Sequence, residues 1–363
     1  MKKHVHEILI VTGTRPEIIK MAPVYQAFQS SGYAIDWCHT GQHDSLAAQT
    51  FAVFAIQPDV VFERPAGTGL PALLGGLINH IDQQLHRKAY QCVLVHGDTS
   101  STLAGALAAF YHQVPVIGHV EAGLRSGDLH HPFPEELNRV VVAKIANYHF
   151  APTRAAEQAL LQEGVSGERI LVTGNTAIDA QQYLLASGAI TARETNQVLV
   201  TAHRRENWAA IPTICAAIKA LSQQQAGLKF IVATHPNPAV KQAVLDGLAD
   251  CPAASVVPPL NYVQLQQVLA QSVLVMTDSG GIQEEAPTFG TRVVVLRETT
   301  ERPEALAMGL SQLAGATDVA RIVSAAESLL ALGRAKGVIN PYGSGQAAHL
   351  IVEAVQQVFD ERV

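Results

Sequence analysis

The stretch Ile8–Lys20, ILIVTGTRPEIIK, turns a strand into a helix through one glycine. An apolar, β-branched run stops at Gly13, Thr14 and Arg15 follow, and Pro16 opens a helical pattern in which its fixed φ and missing N–H are tolerated. A helix entered this way offers free N–H groups and the positive end of its dipole to an anion. The stretch matches neither G-x-G-x-x-G nor G-x-x-x-x-G-K-[ST]. Arg15 therefore points to an anion held in some other way.

The same strand-then-helix grammar recurs. EILIVTG, YAIDWCHTG, QCVLVHGDT, VPVIGHVEAG, NYHFAPT and RILVTGN each lead toward a helical stretch. After the polar segment ASGAITARETNQ the pattern restarts with VLVTAHRREN, LKFIVATHPNP, ASVVPPLNY, SVLVMTDSGG and RVVVLRETTERP. The runs are short and do not alternate, which suits parallel strands covered on both faces. The expected fold is α/β, with two Rossmann-like doubly wound domains. Their expected extents are residues 1–173 and 174–345, and the amphipathic tail at about 346–363 is expected to return to the first domain. In open α/β sheets, ligands sit beyond the carboxyl ends of strands. Polar residues cluster at such ends in both halves, so the expected site is the cleft between them.

Composition limits the ligand class. The 363 residues are 48% hydrophobic and 15% charged, enough to bury large cores and too long for one ordinary domain. The formal net charge is −6 and no dense Lys/Arg run occurs, which disfavours nucleic acid and anionic membranes. Four cysteines without C-x-x-C spacing suggest a reduced setting. No run is long enough to span a bilayer, and the start lacks a cleavable signal, so a cytoplasmic protein is expected.

Three constellations carry chemistry. In MTDSGGIQEEAP, Ser279, Gly280 and Gly281 precede a helix and allow backbone close to a phosphate, while Glu285, one turn on, can accept ribose hydroxyls. Of the two arginines in RETTERPEA, Arg302 is favoured over Arg297 as the phosphate ligand. Asp98, Glu121 and Glu135 form an acid cluster able to divide acid and base roles. Asp98 also fits the N-cap of the following helix, and Glu135 fits a first helical turn. His203, beside Arg204 and Arg205, suits phosphate donation or acid–base work, or a satisfied histidine at a domain boundary. His130 and His131 resemble a metal pair but lack a third ligand at a sensible spacing, and no metal site is read.

Taken together, GTRPE with Lys20, HGDTSST, HVEAGLRSGD, PFPEELNR, VTGNTAID, HRREN, DSGGIQEEAP, TTERPEA and NPYGSGQAA resemble the non-hydrolysing UDP-N-acetylglucosamine 2-epimerases, in order and over nearly the whole chain. The resemblance implies a glycosyltransferase-B-type fold, a homodimer, and interconversion of UDP-GlcNAc with UDP-N-acetylmannosamine (UDP-ManNAc) without added cofactor. It implies elimination of UDP to a 2-acetamidoglucal and re-addition, serving polysaccharide biosynthesis. Alternatives are a retaining UDP-sugar glycosyltransferase, or an epimerase of a modified UDP-hexosamine. Arg15 and Lys20 match the family's cations, and Asp98, Glu121, Glu135 and His203 its catalytic residues. Ser279, Gly281, Glu285 and Arg302 match its UDP contacts. Gln42 and His43 match part of an effector site, but Asp44 stands where an arginine is common, so weak activation by UDP-GlcNAc is expected. Leu265 replaces an aromatic residue common near the uracil.

Overall fold

Strand β1 (Glu7–Thr12) and strand β4 (Cys92–His96) lie side by side in the first sheet, and every residue from Ile8 to Thr12 and from Cys92 to His96 is buried. The structure, a computed structural model, describes residues 7–42, 47–67 and 69–361. The chain forms two units, one of residues 1–180 and 342–363, the other of 181–341.

The first unit holds seven parallel strands in the order β3-β2-β1-β4-β5-β6-β7. The others are β2 (Ala34–His39), β3 (Val60–Val61), β5 (Val116–Val120), β6 (Tyr148–Ala151) and β7 (Ile170–Val172). Helices α1 (Arg15–Ser30), α2 (Ala47–Val53), α3 (Leu70–Arg87), α4 (Ser100–Tyr111), α5 (Glu135–Ile145) and α6 (Arg154–Gln162) connect them. The strand order reverses between β1 and β4, so chain from both diverges at one sheet edge and leaves a crevice there. The division between units falls within α7 (Thr176–Ala186).

The second unit repeats the scheme with six parallel strands in the order β10-β9-β8-β11-β12-β13. These are β8 (Gln197–Thr201), β9 (Lys229–Ala233), β10 (Ala254–Val257), β11 (Ser272–Thr277), β12 (Arg292–Val295) and β13 (Ser311–Leu313). Its helices are α8 (Ile211–Gln224), α9 (Pro238–Leu248), α10 (Tyr262–Gln271), α11 (Gly280–Glu285), α12 (Pro303–Ala307) and α13 (Val319–Leu332). The reversal here lies between β8 and β11, whose ends are level because Thr201 pairs with Thr277.

The tail forms α14 (Ala347–Asp360), which packs on α1 in the first unit. Its apolar stripe, including Ile351, Val355 and Phe359, is buried, and the Phe359 ring lies 6.2 Å from that of Tyr33. The α14 N-terminus is secured by Asp179, whose carboxylate accepts from the N–H groups of Ala347 and Ala348 at 3.3 and 2.9 Å. Burial pushes the Asp179 carboxyl up to about 6.

Candidate active site

At the β1/β4 switch point the chain approaches itself so closely that only glycine fits at position 13. A Cβ there would stand 1.9 Å from Ser101 Oγ. Arg15 is the first residue of α1 and exposed, and among the described residues its side chain makes no hydrogen bond or ion pair. Its neighbours are fixed from below by Glu17. This carboxylate is 1% exposed and accepts from Thr14 Oγ1 (2.7 Å), Gly13 N–H (3.1 Å), Thr99 Oγ1 (2.9 Å) and Thr102 Oγ1 (3.2 Å). Glu17 thereby ties the loop after β1 to the loop after β4. Burial raises its pKa to about 7 against the pull of these donors.

Asp98 follows Gly97 at the end of β4. It does not cap α4: Thr99 does, its side chain accepting from Thr102 N–H. Asp98 is left to pair with Arg139, while its backbone carbonyl accepts from Asn138 Nδ2 at 2.8 Å. Withdrawal from solvent raises the Asp98 pKa, Arg139 opposes that, and Glu121 and Glu135 raise it further. Asp98, Glu121 and Glu135 therefore share one electrostatic field. Glu135 begins α5 and is half-buried. The next residue, Glu136, is 1% exposed and accepts from Ser126 and Gly127 N–H at 3.0 and 3.1 Å, while pairing with Arg139 at 3.2 Å. It anchors the loop before α5 and the arginine that holds Asp98.

Glu121 follows β5 with φ of +62°, a left-handed backbone rarely adopted by a residue with a side chain. Its carboxylate pairs with Lys20 and accepts from Asn175 Nδ2 at 3.0 Å. His96 Nε2 lies 3.7 Å from the same carboxylate. Burial pushes His96 down to about 4, so the ring is neutral at physiological pH, and among the described residues neither buried ring nitrogen has a hydrogen-bond partner. Burial likewise pushes His119 down to about 3, and its Nε2–H donates to Gly97 O at 2.7 Å, steadying the turn that presents Asp98.

In the second unit, Asp278 is wholly buried at the end of β11. Its carboxylate accepts from the N–H groups of His203 and Arg204 at 3.0 and 2.9 Å and from Asn207 Nδ2 at 2.9 Å. The loop carrying His203 is thus clamped to the loop carrying Ser279, and His203 Nε2 lies 3.2 Å from Ala233 O. Ser279 is the N-cap residue of α11. Arg302 crosses Gly280: a Cβ at that glycine would stand 2.6 Å from the guanidinium carbon, whereas at Gly281 it would meet nothing within 4 Å. Arg302 donates to Glu284 (2.9 Å) and Glu301 (3.1 Å). Arg297 is not an ordinary surface arginine, being held by both Glu301 oxygens at 2.9 and 3.0 Å. Glu285 is buried and accepts from Gln266 Nε2 at 2.6 Å.

The structure therefore brings Lys20, Asp98, Glu121 and Glu135 to one sheet edge, and Ser279, Gly280 and Arg302 to another. The sequence reading passed over Glu17, His96, Glu136 and Arg139, all inside or beside quoted motifs, and placed Asp278 at a strand end without a role. Their signal was a charged or polar residue within an otherwise apolar segment. In the first unit the Gln42 carboxamide oxygen accepts from Ser101 N–H and Oγ at 3.0 and 2.7 Å, and Arg64 donates to the Gln42 carbonyl. His43 and Asp44, and with them most of the effector expectation, lie outside the described residues.

Residues 26–356 match the family model described as UDP-N-acetylglucosamine 2-epimerase. The chain is 39% identical to the UDP-N-acetylglucosamine 2-epimerase of Escherichia coli strain K12 over 374 residues, covering 96% of this chain and 98% of that one. The enzyme of Yersinia pestis matches at 39%, with 96% and 98% covered. Among solved structures, the UDP-GlcNAc 2-epimerase of Neisseria meningitidis bound to UDP-GlcNAc superposes with a TM-score of 0.85 at 35% identity, covering 97% and 100%. That of Methanocaldococcus jannaschii, in complex with UDP-GlcNAc and UDP, gives 0.82 at 30% identity, covering 97% and 99%. With two Rossmann-like sheets, an acid cluster at one switch point and a glycine-opened helix at the other, the chain belongs to the UDP-N-acetylglucosamine 2-epimerase family.

Proposed function

We propose that the protein interconverts UDP-GlcNAc and UDP-ManNAc by eliminating UDP and adding it back through 2-acetamidoglucal. The observation that carries this reading is the gathering of Lys20, Asp98, Glu121 and Glu135 at the β1/β4 switch point. Inversion at C2 requires its proton to leave and return on the other face. No ring carbonyl acidifies that proton, so breaking the anomeric C–O bond to UDP in the same sequence makes its loss feasible. Two faces need two proton-transfer groups, and a cluster of carboxylates in one field supplies groups of different proton affinity. The leaving diphosphate needs cations and N–H donors, which Arg15, Arg302 and the start of α11 would provide. Glu285 would take the ribose and His203 would assist at the diphosphate. No added cofactor enters this scheme.

The protein is further proposed to act in the cytoplasm, in keeping with four free, buried cysteines, and to supply UDP-ManNAc for polysaccharide synthesis. A homodimer is proposed on the family resemblance and on the exposed aromatic pair Phe110 (56%) and Tyr111 (72%) at the end of α4.

The test is incubation of the purified protein with UDP-GlcNAc alone, followed by NMR of the anomeric protons. UDP-ManNAc is expected to build up to a constant ratio without any acceptor. A requirement for a sugar or lipid acceptor before any turnover would replace this reading with a glycosyltransferase.

A further inference from the structure

Far from the strand ends that carry Asp98, the packing of α3 against α4 gathers three metal-ligating side chains that the sequence separates. Asp82 and His86 are four residues apart and share one face of α3. His112 is the C-cap residue of α4, whose 12 residues span about 18 Å from its start beside Asp98. We propose that Asp82, His86 and His112 form a binding site for a borderline divalent cation of the zinc type.

The geometry is near that of a ligand set. His112 Nε2 lies 2.8 Å and His86 Nδ1 3.5 Å from the same oxygen, Oδ1, of Asp82. All three ligand atoms fall within 4.8 Å of one another. Ligand atoms around a tetrahedral Zn²⁺, each at about 2.0–2.2 Å, stand about 3.3 Å apart, so binding requires the His86 ring to turn Nδ1 away from the Asp82 carbonyl, now 3.2 Å from it. The imidazoles already meet edge-to-face, with centroids 4.7 Å apart. The backbones beneath them are fixed. Leu77, Ile81 and Leu85 of α3 and Ala104 and Ala108 of α4 pack into one core, and His112 N–H donates to Ala108 O at 3.0 Å. Asp82 and His86 are exposed, leaving a path for the ion and a fourth position for water. Two imidazoles and one carboxylate select zinc, nickel, cobalt or copper over magnesium or calcium, which prefer all-oxygen sites. Bound there, the ion would staple α3 to α4.

Two other histidine–carboxylate pairs provide the contrast. His131 meets Asp128 at 3.0 Å and His349 meets Glu353 at 3.2 Å, but among the described residues neither pair belongs to a converging set of three.

The experiment uses the full chain, treated with EDTA and dialysed. Zn²⁺ is titrated in competition with a chromophoric chelator, and Co²⁺ is added separately to read its visible absorption. The wild type is expected to bind one equivalent per chain with micromolar affinity and to give a tetrahedral-type Co²⁺ band. His112→Ala and Asp82→Asn, each checked by circular dichroism and melting, are expected to weaken binding about ten-fold or more. His349→Ala is expected to bind like the wild type. Absence of saturable micromolar binding, or equal binding in His112→Ala and the wild type, would overturn the proposal. Epimerase turnover is not its readout, so the two proposals fail separately.

Discussion

Glu121→Gln and Asp98→Asn are each expected to lower kcat by about 10²–10⁴ while leaving UDP binding close to the wild-type value. A carboxamide keeps the shape of the side chain but cannot take and return a proton. The surroundings favour survival of the fold in both variants. Arg139 retains Glu136 as a partner when Asp98 is neutralised, and Asn175 still has an amide oxygen or nitrogen to meet at position 121. Glu285→Gln serves as the opposite case. It is assigned to the ribose, so it is expected to weaken UDP binding more than it slows the chemical step. Calorimetry with UDP and steady-state turnover separate the two. If Asp98→Asn instead melts early and turns over normally, Asp98 is a structural partner of Arg139.

The second large effect is expected at Glu17, which acts beneath the site. Glu17→Ala removes a buried acceptor shared by four donors. Thr102 keeps the His96 carbonyl and Thr99 keeps Thr102, so the cost falls on Gly13 N–H and the Thr14 hydroxyl, at about 1–3 kcal/mol for each group left unsatisfied. With partial relaxation the loss of stability should be about 3 kcal/mol or more. Turnover should fall as well, because Thr14 adjoins Arg15 and Thr99 adjoins Asp98. Glu17→Gln separates charge from shape. The native carboxyl, at about 7, binds its proton more tightly than the ordinary value of 4.5. The folded state thus holds more protons between those values. The stability contributed by Glu17 is full below about 4.5, declines as pH rises through 7, and is level above it, a change of about 3 kcal/mol. Glu17→Gln lacks this slope. Chemical denaturation of wild type and Glu17→Gln at pH 5 and pH 8 measures it, and equal changes in both proteins would refute the assignment.

Much of the fold was legible because parallel strands buried on both faces read as unbroken apolar runs, as ILIVT and CVLVH do. The short β3, Val60–Val61, and β13, Ser311–Leu313, were not legible, since two residues carry no pattern and SQL, unlike the equally short ILV of β7, is not an apolar run. The candidate site was legible where it follows directly from a strand end: Arg15, Asp98, Glu121 and the glycines, which proved to be the first two residues of α11 and not to precede it. It was opaque where partners are distant in sequence. Nothing local in EELNR announces that Arg139 meets Asp98, or that Glu17 collects hydroxyls from residues 99 and 102. The N-cap alternative for Asp98 was physically sound, but the adjacent Thr99 fills that role. The metal-like pair seen in the sequence, His130 and His131, drew attention from spacing alone. The set that converges in space comes from two helices.

In the proposed reaction the C2 proton leaves to a side chain as UDP departs. Running the reaction in heavy water and reading C2 by NMR tests it most directly. Deuterium is expected at C2 of the UDP-ManNAc formed, and progressively of the remaining UDP-GlcNAc. Product carrying only the original hydrogen at C2 would contradict it, and would require hydride transfer or a single sequestered proton instead.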